Sequence, residues 1–100
     1  MDASDLVRYR SDVAEVGRKR DLATATEYGA TLNRFVSEFD RRSGELTAAE
    51  GALLEIVHAH VRVMMDCPRR MRLDTTWPDD FVNEARAAAD VLITLVNAGE

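Results

Sequence analysis

Phe81, Ala85, Ala88, Leu92 and Leu95 follow one another at spacings of 4, 3, 4 and 3 residues. That alternation returns every side chain to one side of an α-helix and to no constant face of a strand. Val82, Ala89 and Val96 flank the seam and widen it. A stripe of this kind has to be buried, and its alanines let a neighbouring helix approach closely. The rest of the chain agrees. Five Gly and two Pro leave few turns, whereas an all-β chain of this length needs many. Ala, Leu, Arg and Glu are good helix formers and are common here. The sequence therefore predicts an all-α protein.

Three further helical segments are legible. Leu6, Tyr9, Val13 and Val16 form an apolar stripe on a helix starting near Asp5, with Ser4 as its cap. It ends at Arg18-Lys19-Arg20, cations that suit the negative end of a helix dipole. Thr24-x-x-Glu27 has the form of a capping box and predicts a helix to about Asp40, striped by Tyr28, Leu32, Phe35, Val36 and Phe39. Asp21 is a second candidate cap, and the residues leave open whether 5–40 is one kinked rod or two helices. Arg41-Arg42-Ser43-Gly44 is the clearest break, with Gly44 expected in the left-handed conformation that closes a helix. Thr47-x-x-Glu50 opens residues 48–66, expected to be the core helix. Leu53, Leu54, Ile56, Val57, Val61, Val63, Met64 and Met65 cover more than half its circumference. Pro68 ends it or starts a short turn, and Met71 and Leu73 are candidate anchors in the connector. Trp77, in that connector, is expected to plug a gap between helices. Pro78-Asp79-Asp80 reads as the first turn of the last helix, with Pro at its start and acids at the positive dipole end. That helix runs over 78–97 and stops at Gly99. The architecture predicted is an antiparallel three- or four-helix bundle, one domain over 1–100.

Charge narrows the function classes. Eighteen acidic against thirteen basic residues give a net charge of −5, which argues against a dedicated nucleic-acid binder, since phosphate neutralisation wants a basic face. Residues 73–100 carry six acids and one base, Arg86. Arginine outnumbers lysine twelve to one, which we read as bacterial or phage base composition. Cys67 is alone, so no disulfide framework forms and a reducing compartment is the simpler expectation. MDASDLVRYR carries no apolar signal-peptide core. The run Ala52–Met65 is interrupted by Glu55, His58, His60 and Arg62, too polar to span a membrane. A cytoplasmic location with no membrane partner is the expectation.

Constellations with chemistry are sparse. His58 and His60 are two residues apart and leave the helix on different sides. His60, Met64 and Cys67 share a face, a set soft metals accept, but packing explains it more simply. Cys67 lacks a positioned base and acid to become a nucleophile. The carboxylate pairs lie at helix ends, where capping and dipoles account for them. No Gly-rich phosphate loop and no nucleophile elbow occurs. No catalytic, metal or cofactor residue is therefore assigned, and neither an enzyme nor a small-molecule substrate is expected. Arg69, Arg70 and Arg72 form a basic knot, a candidate contact for an anion or an acidic partner.

Residues 6–73 resemble the small flagellar export chaperones of the FliT type. The likeness is carried by two helices, the second with Leu32, Phe35, Val36 and Phe39, and a short polar linker. A Thr-Ala-Ala-Glu start at Thr47, a long helix, and Pro-x-x-Met-Arg-Leu from Pro68 to Leu73 complete it. The resemblance implies an acidic helical bundle that holds an unfolded export substrate in an apolar groove. Residues 74–100 depart from the pattern, and no individual binding residue carries over. From the residues themselves, the helix over 48–66 has more apolar surface than one neighbour covers. We thus expect a protein-binding module that meets a partner or its own copy through Leu53, Ile56, Val57, Val61, Met64, Phe81, Leu92 and Leu95. The export-chaperone-like adaptor comes first. The alternatives are a toxin-neutralising immunity or antitoxin protein, and a phage or regulatory DNA-associated helical protein using 18–20 and 69–72.

Overall fold

A computed structural model describes residues 2–99 of the chain. The described residues form five α-helices, α1 (Ala3–Asp12), α2 (Ala14–Lys19), α3 (Leu22–Asp40), α4 (Ala48–Asp66) and α5 (Trp77–Ala98), with short 3-10 turns at Ser43–Glu45 and Cys67–Arg70. α1 and α2 are one rod interrupted at Val13, whose N–H still reaches the Tyr9 carbonyl at 2.9 Å. The open question over residues 5–40 is thereby answered: two rods, separated at Arg20–Asp21.

The corner between them decides between the two candidate caps of α3. Arg20 sits at φ 54, ψ 36 and closes α2, its N–H bonding to the Val16 carbonyl. This left-handed position is one where glycine is usual. Asp21 caps α3 by accepting the Thr24 N–H at 2.6 Å, so Thr24 lies inside the helix, buried, and caps nothing. At the N-terminus Asp2, and not Ser4, is the cap, because a carboxylate at that position can accept the Ser4 N–H (3.0 Å). Gly44 is not left-handed either: no described glycine has positive φ, and the 3-10 turn around it carries the chain into α4. The Thr47–Glu50 capping box is present in both directions, Thr47 N–H to Glu50 at 3.0 Å and Glu50 N–H to Thr47 at 3.1 Å.

The four rods run up, down, up and down. Gly17 lies beside Asp79 and Val82, while Arg10 reaches Asp90. Asp40 meets His58, while Gly29 abuts Met65. His60 meets Glu84, while Arg70 reaches Asp80. In each pair, moving up one helix moves down the other, which is the antiparallel arrangement. α5 spans about 33 Å at 1.5 Å per residue and accounts for most of the 42 Å long axis of the molecule.

The centre of the bundle is α5, which touches α1, α2, α3 and α4. This corrects the expectation that 48–66 is the core helix. Ala85, Ala88 and Ala89 are fully buried and admit neighbours on several sides, with Phe81, Leu92 and Leu95 between them. α4 is instead a flank: Leu54, Val57, Val61 and Met64 point inward, while Ile56, Val63 and Met65 are open to solvent. Trp77 is buried, as expected for a plug between helices. Met71 and Leu73 do not anchor the connector; Leu73 is 92% exposed. No described helix is long and apolar enough to cross a membrane.

Candidate functional site

Two concavities flank the C-terminal turn of α4, and their chemistry separates them. The first, about 490 Å³, is lined by Val63, Asp66, Arg70, Asp80, Asn83 and Glu84. Its charges are engaged with one another. Arg70 bonds Asp74 and Asp80 at 3.0 Å each and the Cys67 sulfur at 3.4 Å. Glu84 meets His60 Nδ1 at 2.6 Å, and Asp66 lies 3.6 Å from Arg69. The Cys67 bond and the Asp80 carboxylate beside it raise the Arg70 pKa further above its ordinary value. Burial pushes the Cys67 thiol up, partly opposed by Arg70. The protonated thiol donates to the Val63 carbonyl at 3.2 Å, an arrangement that restrains it as a nucleophile. Of the set His60, Met64 and Cys67, His60 is engaged by Glu84, and Met64 and Cys67 are fully buried. Among the described residues no three His, Cys, Asp or Glu side chains cluster for a metal.

The second concavity is apolar, about 430 Å³, and opens between the start of α3 and the end of α4. Its floor is Ala25 and Phe81, both buried. Leu22 and Met65 form its walls at 51% and 46% exposure, with Thr26, Pro68 and Arg69 completing the rim. The local sequence explains the shape. The left-handed turn at Arg20 starts α3 abruptly, so Leu22 in its first turn has no helix above it. Gly29 removes a side chain where α3 meets α4, and the Met65 sulfur lies 3.1 Å from the point a Cβ there would occupy. Pro68, after α4, has no N–H for a solvent-facing partner and presents only its ring. Two exposed large apolar side chains facing one groove, one of them a flexible thioether, form a surface suited to varied apolar shapes.

The residues picked out from the sequence are distributed unevenly. Val57, Val61, Met64, Leu92 and Leu95 are buried in the chain's own core and hold the bundle together, while Phe81, also buried, reaches the floor of the apolar groove. Leu53 packs half-buried against the core, and Ile56 is exposed at 45%. Of the basic knot, Arg70 is tied to Asp74 and Asp80, Arg69 borders the apolar groove, and Arg72 has no ion-pair partner among the described residues. Leu22 and Met65 were not among the expected contact residues, although Met65 belongs to the apolar surface expected of α4 and the signal for Leu22 existed: an apolar residue in the first turn, outside the Tyr28–Phe39 stripe. Comparison with protein-family models, with characterised proteins and with solved structures gives no match to this chain.

Proposed function

We propose that this chain is a non-catalytic protein-binding module whose groove takes a large apolar side chain of a partner segment that also carries an acidic residue. The observation that carries the reading is the pair Leu22 and Met65, both about half exposed across one groove with Arg69 at its edge. Closing that groove removes apolar surface from water, worth about 25 cal/mol per Å². Arg69 is the complementary charge: its contact with Asp66 is long and open to solvent, so an incoming carboxylate exchanges with it at small cost. The resemblance to export chaperones supports an adaptor that holds an apolar segment of an unfolded substrate, and the groove walls lie within residues 6–73. The toxin-neutralising and DNA-associated alternatives have less support. The carboxylates of Asp66, Asp74, Asp80 and Glu84 are each paired, and Arg18 and Lys19 both lie on Glu15.

The test is selection of displayed random peptides on the full chain. Enriched peptides are expected to carry Phe, Leu or Met beside Asp or Glu. Their binding should fall at least about tenfold on Leu22→Glu, which buries a charge against the groove, and less on Arg69→Glu. The absence of enrichment, or equal binding by Leu22→Glu with its helical content intact, overturns the proposal.

A further inference from the structure

The outward face of α4 carries a second apolar stripe. Ala52, Ile56, Ala59 and Val63 are all exposed and follow at spacings of 4, 3 and 4. They form a straight seam down the helix, open to solvent, with Val63 at the edge of the first concavity. Glu55 and Arg62 lie seven residues apart along one flank of the seam, and neither has an ion-pair partner among the described residues.

We infer that this face is an interface between two copies of the chain, with the α4 helices crossing antiparallel about Ala59. The seam is self-complementary under a two-fold axis, the requirement for an isologous contact. With Ala59 of each copy at the crossing, the small side chains let the helices approach. Ile56 of each copy then packs beside Val63 of the other. The axis leaves each flank on its own side, so Glu55 of one copy faces Arg62 of the other, twice. A parallel pair does not do this: it sets Glu55 near His60, which already bonds Glu84, and Arg62 near the buried Cys67. Charge pattern thus selects both the occupant and its direction. This interface lies on a different face from the groove and does not rest on the groove reading.

The measurement is sedimentation equilibrium of the full chain from about 10 µM to about 1 mM, the range in which a small single-helix interface associates. A concentration-dependent dimer is expected. Glu55→Arg should weaken it about tenfold, because two attractive pairs become repulsive. The double variant Glu55→Arg/Arg62→Glu should restore it. Both positions are exposed, so circular dichroism should show the fold unchanged. Direction is read by disulfide capture. Ala59→Cys should cross-link between copies on mild oxidation. Ala52→Cys should not, since its copies would stand roughly 21 Å apart along the axis. A monomer throughout the range, a dimer indifferent to Glu55→Arg, cross-linking at 52, or its absence at 59 each overturns the inference.

Discussion

Among the described residues, Tyr9 is a buried side chain whose ionisation the bundle opposes strongly, and Tyr9→Phe isolates that effect. Its ring lies in the core of α1, 4% exposed, with centroids 5.9 Å from both Tyr28 and Phe35. Its hydroxyl donates to the Tyr28 carbonyl at 2.9 Å. At neutral pH the substitution keeps the ring packing and removes one hydrogen bond, a net loss of about 1 kcal/mol. Burial raises the Tyr9 pKa well above its ordinary value, with a smaller push from Tyr28. The sign follows directly. The folded protein keeps its phenolic proton after the unfolded chain, titrating near pH ~10, has released it. The contribution of Tyr9 is therefore whole below about pH 10 and declines above it, by roughly 1.4 kcal/mol per pH unit, toward the folded value. At about pH 11 the wild type has lost approximately 1.4 kcal/mol through this group alone.

The loss exceeds what Tyr9→Phe costs at neutral pH, so the two stabilities should cross between about pH 10 and about pH 11. Every other titratable group is present in both proteins and largely cancels in the difference. The assay is urea unfolding followed by far-UV circular dichroism for both proteins at several pH values from neutral upward. A stability gap that stays constant across this range would refute the reasoning, because it would mean the phenol ionises as readily folded as unfolded.

Three further outcomes rest on the core and the caps. Leu92→Ala, which empties a fully buried position on the central helix, should destabilise by roughly 2–5 kcal/mol in the same denaturation assay. Thr47→Ala removes the hydroxyl that accepts the Glu50 N–H at the start of α4 and leaves the reciprocal bond from the residue-47 N–H to Glu50, and should cost about 1 kcal/mol. Gly51→Ala should stabilise by approximately 0.5–1 kcal/mol in thermal unfolding, since a Cβ there meets nothing within 4 Å and alanine favours the helix.

What was legible in the sequence follows from how each signal arises. Periodicity is a property of a whole helix, so the α4 boundaries, 48–66, and the α5 seam were readable from residue spacing alone. Caps depend on one or two atoms, and there the readings diverged. Ser4 and Asp2, or Thr24 and Asp21, are equally good cap chemistries, and only the path of the chain decides between them. The cations at 18–20 and the candidate cap Asp21 marked the corner, but its left-handed turn gave no signal, because the position usually marked by glycine holds an arginine whose side chain reaches the Thr75 carbonyl. The groove was hidden for a related reason. It is made by residues from 22 to 81 that meet only once the rods are folded back on one another.

The near-continuous apolarity of residues 53–65 had the same origin. It is the superposition of two stripes. Leu54, Val57, Val61 and Met64 step by 3, 4 and 3 and are buried, while Ala52, Ile56, Ala59 and Val63 step by 4, 3 and 4 and are exposed. One-dimensional spacing cannot assign either stripe to the core, since both satisfy the same helical period. Residue size does carry a hint. The inward stripe of α4 holds no alanine, and it packs against α5, whose buried Ala85, Ala88 and Ala89 make room for it. The outward one alternates alanine with β-branched residues, so its large side chains stand apart and each leaves a hollow at the alanine beside it. Ala52 and Ala59 favour the helix in a monomer as well, and they also leave room at the two positions where the proposed crossing of α4 helices needs it.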